Sequence, residues 1–523
     1  MKLFELLQPA SPERITGPGL KKNGVLTEPD ITSVHYRADR VKPGGLFVAV
    51  RGMHSDGHDY IDQALRNGAA AIVTDKDVDK QAIIARVADC REALARISAR
   101  FYDFPSDKLL LIGVTGTNGK TTTAALIERI LLESGIRAGA IGTENYRYDG
   151  QVRENNLTTP AAPELQAILA DMAAAGITHV VMEVSSHALD QKRVDGCDFD
   201  VGVFTNLTQD HLDYHQDMDA YWNCKKLLFT KCLSRGFRKQ RGVSVINCVS
   251  ARGRELFDEQ HGNDRISVGL TKDYMIFPEQ VHYAADGING HMVSPGGVFD
   301  FTSPLVGSYN FENILCAVGA ARALGVPGRD IQAGIRTFAG VAGRLERIDN
   351  SRDRSVFVDY AHTPDALKNV LATVREITRG RLICVFGCGG ERDRGKRPRM
   401  GRIASENADL VVVTSDNPRG EDPAGIIEDI LAGMENAGEQ VDSPEKLGCR
   451  DGRRRFLVEP DRRLAILAAV LASAPADSVV VAGKGSETYQ LIKGRKEDFD
   501  DRQEARQALR ELAGQSPAVM CSV

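Results

Sequence analysis

Apolar runs of strand length alternate with amphipathic segments along most of the chain. GGLFVAV (44–50) and AAAIVTD (69–75) predict buried strands, and YIDQALRNGA (60–69) between them has the period of a helix. Farther on, LLLIGVTG (109–116) predicts a strand, and TTTAALIERILLESG (121–135) predicts an amphipathic helix that stops at glycine. Strands that alternate with helices in this way indicate an α/β fold with parallel, doubly wound sheets.

The carboxyl-terminal part of the chain repeats this pattern. Four apolar runs end in polar or glycine-rich residues: SVFVDYAH (355–362), RLICVFGCGG (381–390), ADLVVVTSDNP (408–418) and DSVVVAGKGS (477–486). Because open α/β sheets bind ligands beyond the carboxyl ends of their strands, we expect these four endings to be functional loops. The charged segment RKEDFDDRQEARQALRELAG (495–514) predicts a terminal helix with a solvated face.

The chain has 523 residues, enough for about three or four domains, and we predict three. A small α/β domain is expected over residues 1–105, followed by a linker that includes the proline and charges of FYDFPSDK (101–108). A central doubly wound domain is expected over residues 106–340. A Rossmann-like α/β domain is expected over residues 341–523.

The charge balance, the length of the apolar runs and the cysteine spacing exclude several classes of function. The 66 basic and 71 acidic residues leave a net charge of −5, which argues against nucleic acid as a partner. No apolar run reaches the roughly 18–20 residues that a bilayer span needs, and the first residues lack the apolar core of a signal peptide. The ten cysteines are scattered without a CxxC pair, as is typical of a reducing compartment. We therefore expect a cytoplasmic protein without a membrane partner.

The strongest motif is GVTGTNGKTTT (113–123), which lies between a predicted strand and a predicted helix. In that context glycines let backbone N–H groups point at phosphates, and a lysine reaches the β- and γ-oxygens. Gly116, Gly119 and Lys120 match these roles, and Thr121 can offer its hydroxyl to Mg²⁺. The alternative is a glycine-rich turn with an exposed lysine.

The string GTNGKTT resembles the ATP loop of the Mur ligases and of the related folylpolyglutamate synthetases, and further motifs follow in the family's order over nearly the whole chain. The resemblance implies an ATP-dependent amide ligase. A substrate carboxylate attacks the γ-phosphate to give an acyl phosphate and ADP, and an amine then displaces phosphate. The implied ATP-binding residues are Gly116, Thr117, Asn118, Gly119, Lys120, Thr121, Thr122, Asn313, Arg344, Asp359 and His362. ATP is expected between the central and third domains.

The same resemblance implies a metal site that holds two Mg²⁺ ions. Its expected residues are Thr121, Glu183, His211 and Lys225, and the expected catalytic residues are Lys120, Lys225 and His211. In the family the lysine at the position of Lys225 is carbamylated by CO₂, and the resulting anion helps to hold a metal ion. From the residues alone, the favoured interpretation of Lys225 and Lys226 is an ordinary surface lysine pair beside a helix. The chemistry requires no cysteine nucleophile, so Cys224 is given no role.

The loop DNPR (416–419) resembles that of the family member that adds meso-diaminopimelate, since an arginine there can pair with the distal carboxylate of that substrate. The implied contacts are Arg392, Asp416, Asn417, Pro418, Arg419, Gly483 and Glu487. Ser486 stands where the family more often has histidine. The alternatives are a simple proline turn with a solvated arginine, and addition of L-lysine, whose ammonium Arg419 would repel.

The acceptor implied by the resemblance is UDP-N-acetylmuramoyl-L-alanyl-D-glutamate, an intermediate of cytoplasmic peptidoglycan synthesis. Its implied contacts are Thr158, Thr159, Ser185, Gln191 and Arg193. The family has asparagine where this chain has Leu157, so Asn155 or Asn156 could replace that contact. Residues 41–61 resemble the family's uridine-binding domain, which folylpolyglutamate synthetases lack, but no uridine contact is assigned.

Two rival classes are a non-catalytic nucleotide-binding module and a P-loop switch protein. The full set of expected catalytic and metal residues argues against the module, and no guanine-reading signature supports the switch. We expect the protein to act as a monomer.

Overall fold

A computed structural model describes residues 1–18, 21–22, 25–26, 28–52, 55–143, 145–155, 157–233, 242–260, 264–348, 354–435 and 437–514. The chain divides into two compact units. The first comprises Met1–Glu279, His291–Phe299 and Glu312–Ile335, and the second comprises Gln280–Gly290, Asp300–Phe311 and Arg336–Val523. Within the described ranges, no helix combines the length and apolar character that crossing a bilayer requires.

The first unit begins with a small mixed sheet in the order β1-β7-β6-β5-β4. Its strands pack on a core that includes Leu3, Leu46, Val73 and Ile97. The strands up to this point are β1 Arg14–Thr16, β2 Lys21–Lys22, β3 Val25–Leu26, β4 Val34–His35, β5 Leu46–Val48, β6 Ala71–Thr74 and β7 Ile84–Arg86, and the helices are α1 Leu3–Leu7, α2 Ile61–Arg66 and α3 Cys90–Phe101.

A larger sheet follows in the order β11-β10-β9-β12-β8-β13-β14-β15, parallel from β9 to β15. Its strands are β8 Leu110–Thr115, β9 Ala138–Ile141, β10 Asn145–Tyr148, β11 Gln151–Glu154, β12 His179–Glu183, β13 Val201–Phe204, β14 Val243–Asn247 and β15 Asp264–Val268. The helices are α4 Lys120–Glu133, α5 Ala162–Ala174, α6 Ser186–Asp190, α7 Leu212–His215, α8 Met218–Leu227 and α9 Ala251–Glu259. Because β8 lies between β12 and β13, the loops after these three strands open at one sheet edge, where such folds bind ligands.

A three-stranded sheet comes next, with β16 Phe277–Ala284, β17 Gly287–Ser294 and β18 Gly297–Ser303. Two helices follow it, α10 Ser308–Ala323 and α11 Gly328–Thr337.

The second unit contains a sheet in the order β19-β20-β25-β21-β22-β24-β23, parallel except for β19. The strands of this region are β19 Glu346–Arg347, β20 Ser355–Asp359, β21 Leu382–Phe386, β22 Leu410–Val413, β23 Glu439–Val441, β24 Arg455–Val458, β25 Ser478–Ala482, β26 Tyr489–Ile492 and β27 Arg495–Asp498. The helices are α12 Pro364–Ile377, α13 Lys396–Asn407, α14 Pro423–Leu431, α15 Pro444–Gly448, α16 Arg462–Ala472 and α17 Asp501–Gly514. The predicted α/β class is confirmed, whereas the domain boundaries at residues 105 and 340 stay a prediction.

The prediction of a terminal helix over residues 495–514 was wrong in its first part. Residues 495–498 form β27, which pairs antiparallel with β26. The two residues between the strands, Lys493 and Gly494, have φ values of 48° and 77°, as a tight two-residue hairpin requires. The remaining helix is not simply solvated, because Asp501 is buried in a 2.7 Å ion pair with Arg462.

Candidate active site

The predicted phosphate loop connects β8 to α4. Gly116 has φ 151° and Gly119 has φ 83°, both in the region that favours glycine. A Cβ on Gly116 would lie 1.9 Å from Oγ1 of Thr205, and Thr205 in turn donates a 2.7 Å hydrogen bond to the carbonyl of Asn118. The loop is therefore shaped by close backbone packing against the segment after β13.

Two loop residues that the sequence assigned to ATP make defined contacts with that segment, and a third is buried in the helix that follows. Thr117 donates its backbone N–H to the carbonyl of Asn206 over 2.9 Å, and Asn118 donates its N–H to Oδ1 of Asn206 over 2.9 Å. Thr122 is buried in the first turn of α4. Two hydrogen bonds from backbone N–H groups therefore anchor the loop to Asn206.

Asn313, predicted to contact ATP, lies on α10 behind the loop rather than in an exposed position. Its Oδ1 accepts a 3.2 Å hydrogen bond from Oγ1 of Thr123, and a Cβ on Gly119 would come within 2.1 Å of the same oxygen. Asn313 is buried. In this structure its contact is therefore with the start of α4.

The predicted metal residues Thr121 and Glu183 come together. Oγ1 of Thr121 donates a 2.9 Å hydrogen bond to Oε2 of Glu183, although the residues are 62 positions apart. Glu183 is 1% exposed, and its Oε1 accepts the backbone N–H of Thr143 over 2.9 Å. A buried carboxylate beside a hydroxyl at the end of the phosphate loop is a donor set that suits Mg²⁺.

Lys225 is buried, not at the surface, which removes the alternative of a solvated lysine pair. Its Nζ donates a 2.8 Å hydrogen bond to the carbonyl of Gly116 and lies 4.4 Å from the ring centre of Tyr221. Nζ of Lys120 donates to the same carbonyl over 2.9 Å. Burial, and then the nearby Lys120 charge, lower the pKa of Lys225 well below its usual value.

His211 follows β13 and sits in a group of aromatic rings. Its ring centre lies 4.8 Å from that of His187 and 6.0 Å from that of Tyr221, which also packs on Lys225. The backbone of His211 is left-handed, with φ 54°, and its Nε2 lies 3.6 Å from Oδ2 of Asp210. His211 and Lys225 thus share Tyr221 as a neighbour.

The residues predicted to bind the acceptor form one connected network. Thr159 donates its hydroxyl to the carbonyl of Glu183 over 2.8 Å and accepts the N–H of Ser185 over 3.1 Å. Arg193 donates to the carbonyl of Thr159 over 2.8 Å and to Oε1 of Gln191 over 2.7 Å. These long-range bonds link the strand that carries Glu183 to the predicted substrate residues.

Leu157 stands where the family has asparagine, and the structure describes its neighbours except residue 156. Thr158 accepts a 3.3 Å hydrogen bond from the hydroxyl of Thr143, next to Glu183. Leu157 is exposed, and Asn155 donates its amide to the carbonyl of Gly142 over 2.9 Å. Asn156 lies outside the described residues.

Sequence reasoning did not anticipate the cavity beside this network. It has a volume of about 640 Å³ and is lined by Tyr36, Arg37, Arg91, Gln191 and Arg193, among others. With Arg51, four arginines line this cavity, which is a setting for an anionic ligand. The pair Tyr36-Arg37 lies just upstream of the 41–61 segment, and only the fold places it opposite Gln191.

In the second unit, the residues predicted to contact the nucleotide surround the end of β20. Asp359 is buried and accepts backbone N–H groups from Leu345 over 2.6 Å and Ala361 over 2.7 Å, and its burial raises the pKa of its carboxyl. The guanidinium of Arg344 lies 4.4 Å from the ring centre of Tyr360. Nδ1 of His362 lies 2.9 Å from the carbonyl of Tyr360, and burial lowers the pKa of His362.

The DNPR loop and the 483–487 segment converge beyond the ends of β22 and β25. Nδ2 of Asn417 donates to Oε2 of Glu487 over 2.9 Å, and a Cβ on Gly483 would lie 3.2 Å from Oδ2 of Asp416. Arg419 has φ 54° and donates from Nη1 to the carbonyl of Gly390 over 2.8 Å. Its backbone also pairs with residues 491 and 493, which fixes the loop to the β26-β27 hairpin.

Pro418 and Arg392, which are also predicted to contact the amino acid, lie near the same loop. Pro418 accepts the N–H of Glu421 over 3.0 Å through its carbonyl, so it starts a turn. Arg392 is exposed, and its Cγ lies 3.8 Å from where a Cβ on Gly389 would be. Arg392 and Arg419 therefore both lie close to Gly389, just after the end of β21.

Lys484 was missed. It is 0% exposed, and its Nζ donates to Oδ1 of Asn417 over 3.2 Å and to Oε2 of Glu487 over 3.0 Å. The same Nζ lies 3.7 Å from Oδ1 of Asp416. The signal in the sequence is a lysine inside the glycine-rich strand ending GKGS (483–486), between the predicted residues Gly483 and Glu487.

Comparison with known families gives matches in chain order. Residues 30–102 match the family described as "Mur ligase family, catalytic domain". Residues 114–321 match the "Mur ligase middle domain". Residues 343–485 match the "Mur ligase, glutamate ligase domain". The three matches span most of the chain.

Individual relatives agree with this. A protein of Geobacter metallireducens named UDP-N-acetylmuramoyl-L-alanyl-D-glutamate--2,6-diaminopimelate ligase is 46% identical over 92% of this chain and 95% of its own. A solved structure of a ligase with that name is 32% identical, with a TM-score of 0.68 over 94% of this chain and 98% of that one. The MurF ligase of Thermotoga maritima in complex with ADP, 18% identical with a TM-score of 0.57 over 92% of this chain and 98% of its own, shares the fold.

Proposed function

The chain belongs to the Mur ligase family, and from that premise we propose that it joins meso-2,6-diaminopimelate to the D-glutamate carboxylate of UDP-N-acetylmuramoyl-L-alanyl-D-glutamate at the expense of ATP. The observation that carries the proposal is the convergence of Lys120, Lys225 and the Thr121-Glu183 pair on one phosphate loop. Such a loop can hold a triphosphate while a carboxylate attacks its γ-phosphorus.

In this proposal Lys120 turns from the Gly116 carbonyl to the phosphate oxygens when ATP binds, and the backbone N–H groups of the loop bind the same anion. Attack of the glutamate oxygen forms one P–O bond and breaks the bond to ADP. Attack of a neutral amine on the acyl carbon then releases phosphate and one proton. Arg344, Asp359 and His362 are the proposed nucleotide contacts of the second unit.

Thr121, Glu183, His211 and a carbamate on Lys225 are proposed to hold two Mg²⁺ ions, which would offset charge during phosphoryl transfer. The buried Thr121-Glu183 pair fits such a metal. Carbamylation requires a neutral amine whose nitrogen bonds to CO₂ with loss of a proton, and the lowered pKa of Lys225 favours that form.

The amino-acid site is proposed to include Arg392, Arg419 and the cluster of Asp416, Asn417 and Glu487. A guanidinium suits the distal carboxylate of diaminopimelate, and a carboxylate such as that of Glu487 suits an ammonium group. L-Lysine has no distal carboxylate and would bring an ammonium toward Arg419. This argues for the diaminopimelate-adding ligase over its lysine-adding alternative.

The acceptor is proposed to lie along Thr158, Thr159, Ser185, Gln191 and Arg193, with its nucleotide end in the arginine-lined cavity. The reaction would take place in the cytoplasm, and we propose that the enzyme acts as a monomer.

The test is ADP release in the presence of UDP-N-acetylmuramoyl-L-alanyl-D-glutamate and one amino acid at a time. We expect turnover with meso-diaminopimelate and little with L-lysine. Turnover with lysine but not diaminopimelate would overturn the specificity, and ATP binding without product from either would favour a non-catalytic module.

A further inference from the structure

The first unit holds a cluster of side chains that the proposed ligase reaction does not use. Among the described residues, His58, Asp75 and Cys90 each place one atom capable of binding a metal within 4.8 Å of the other two. They come from three separate places: the short 3-10 helix Gly57–Tyr60 before α2, the residue that follows β6, and the first residue of α3. Only the tertiary fold brings these three positions together.

His58 is oriented for ligation by a neighbouring carboxylate. Its Nδ1 lies 2.5 Å from Oδ1 of Asp56, and its side chain is only 8% exposed. An Nδ1–H that donates to Asp56 leaves the lone pair on Nε2, and Nε2 has no hydrogen-bond partner within the described chain. A carboxylate behind one ring nitrogen is the arrangement that fixes a metal-binding histidine.

The position of Asp75 also suits a metal better than a hydrogen bond. Its Oδ1 lies 3.2 Å from Nε2 of His58, yet the two atoms are not aligned for a hydrogen bond. In a tetrahedral site with metal–ligand distances of about 2.0–2.2 Å, a nitrogen and an oxygen ligand lie about 3.4 Å apart, and the oxygen stands off the axis of the ring nitrogen. The observed separation and misalignment agree with that geometry.

We propose that His58, Asp75 and Cys90 bind one zinc ion, with a water molecule as the fourth ligand. A set of one imidazole, one carboxylate and one thiolate is characteristic of zinc, whereas Mg²⁺ prefers oxygen alone. Cys90 binds as the thiolate and gives its proton to solvent.

The charges around the cluster fit one divalent cation. Asp56 is already balanced by Lys76, whose Nζ lies 2.7 Å away, and Arg51 lies 3.5 Å from the same carboxylate. The remaining anions are the Asp75 carboxylate and the Cys90 thiolate, whose two charges equal that of Zn²⁺. The side chain of Asp75 is 33% exposed, so the ion can reach the cluster from solvent at this residue.

The ion would act on structure. Arg51, Gly52, Ser55 and Gly57 line the 640 Å³ cavity on one side, and Arg91, next to Cys90, lines it too. A metal that joins His58 to Cys90 therefore ties together two walls of this cavity. Occupancy should raise thermal stability without changing the chemistry at the phosphate loop.

The experiment uses the full chain, freed of metal by a chelator and titrated with Co²⁺ as a spectroscopic substitute for zinc. We expect one equivalent to produce a thiolate-to-cobalt charge-transfer band, and zinc to displace it. Cobalt bound by histidines near His211 would give no such band. Cys90→Ser should abolish the band and weaken binding by about tenfold or more, while Cys224→Ser, at a half-buried cysteine outside the cluster, should keep both.

The stability readout keeps the test independent of any single variant. Zinc should raise the midpoint of thermal unfolding of the wild-type chain, and it should not do so in His58→Gln, with circular dichroism as the check on folding. The proposal is overturned by a wild-type chain without the charge-transfer band at one equivalent of Co²⁺. A band that survives Cys90→Ser, or a His58 ring that NMR finds protonated on both nitrogens in excess zinc, would also overturn it.

Discussion

Lys120 and Lys225 donate hydrogen bonds to the same carbonyl oxygen, that of Gly116, over 2.9 and 2.8 Å. Two ammonium groups on one acceptor repel each other, and burial disfavours the charge on Lys225 further. Burial, and then the Lys120 charge, lower the pKa of Lys225 and so favour the neutral amine, which is the form that the proposed reaction with CO₂ requires.

The first prediction concerns Lys225. Lys225→Ala should lower ligase turnover by at least about tenfold, since it removes the proposed carbamate. Removal of dissolved CO₂ should slow the wild-type enzyme, and added bicarbonate should restore its rate. The matched control is Lys226→Ala, because Lys226 pairs with Glu259 on α9 instead of bonding to the phosphate loop, so its loss should leave turnover unchanged. Full activity of Lys225→Ala would refute the assignment.

The second prediction concerns the packing of Gly119 against Asn313. Gly119→Ala should weaken ATP binding by roughly 10- to 100-fold, because the new Cβ would lie 2.1 Å from Oδ1 of Asn313 and would displace the loop. Gly135→Ala is the control: Gly135 has a similar φ of 73°, but nothing lies within 4 Å of its added Cβ. Calorimetric titration with ATP measures the difference.

A double variant tests the cause of that effect. Gly119→Ala combined with Asn313→Ala removes the oxygen that the new Cβ meets, so it should regain part of the lost affinity. Equal loss of ATP binding in Gly119→Ala and Gly135→Ala would show that backbone strain, not the contact with Asn313, is responsible.

The third prediction concerns Lys484, which holds Asn417 and Glu487 from inside the core. Lys484→Met keeps the length of the side chain but removes the donor, so the KM for diaminopimelate should rise roughly tenfold or more. The KM for ATP should change little. Lys493→Met replaces an exposed lysine in the adjacent hairpin and should leave all constants unchanged.

Measuring thermal stability together with KM distinguishes a positioning role of Lys484 from a general loss of folded structure. Loss of the Lys484 ammonium leaves the Glu487 carboxylate without its cation, so Lys484→Met should also lower the midpoint of thermal unfolding. Adding Glu487→Gln should recover stability but not the use of diaminopimelate. Recovery of both would contradict a role for Glu487 in binding the amino acid.

The fourth prediction concerns pH and Glu421. Hydrogen bonds from the buried Arg397 lower the pKa of this carboxyl from 4.5 to about 2. Because the folded-state pKa is lowered, the stabilisation is present above pH 4.5 and disappears as the pH falls from about 4.5 to about 2. Glu421→Gln should therefore be less stable than wild type at pH 7, and the difference should shrink below pH 4.5.

Urea denaturation at a series of pH values measures that difference. Glu428→Gln, at an exposed position on α14, should show no such dependence. A gap between wild type and Glu421→Gln that stays constant down to pH 3 would mean that Arg397 does not depend on the charge of Glu421.

By itself, the sequence identified the α/β class and the residues of the phosphate loop. Apolar strand length, the glycine spacing and the placement of Lys120 and Thr121 are local features, which nearest neighbours along the chain define. It also singled out Asn417 and Glu487 individually. The hairpin at Lys493-Gly494 also depends on neighbouring residues only. It was missed because the charged residues 495–498 that follow it are equally compatible with a helix.

The tertiary structure decided which of these residues meet. Lys225 reaches Gly116 across 109 positions, Lys484 reaches Asn417 across 67, and His58 approaches Cys90 from another strand connection. No periodicity encodes such contacts, because they depend on strand order and on how deeply each side chain is buried. Burial also shifts the protonation equilibrium, because a lysine that is a solvated cation at a surface has a lowered pKa in the core.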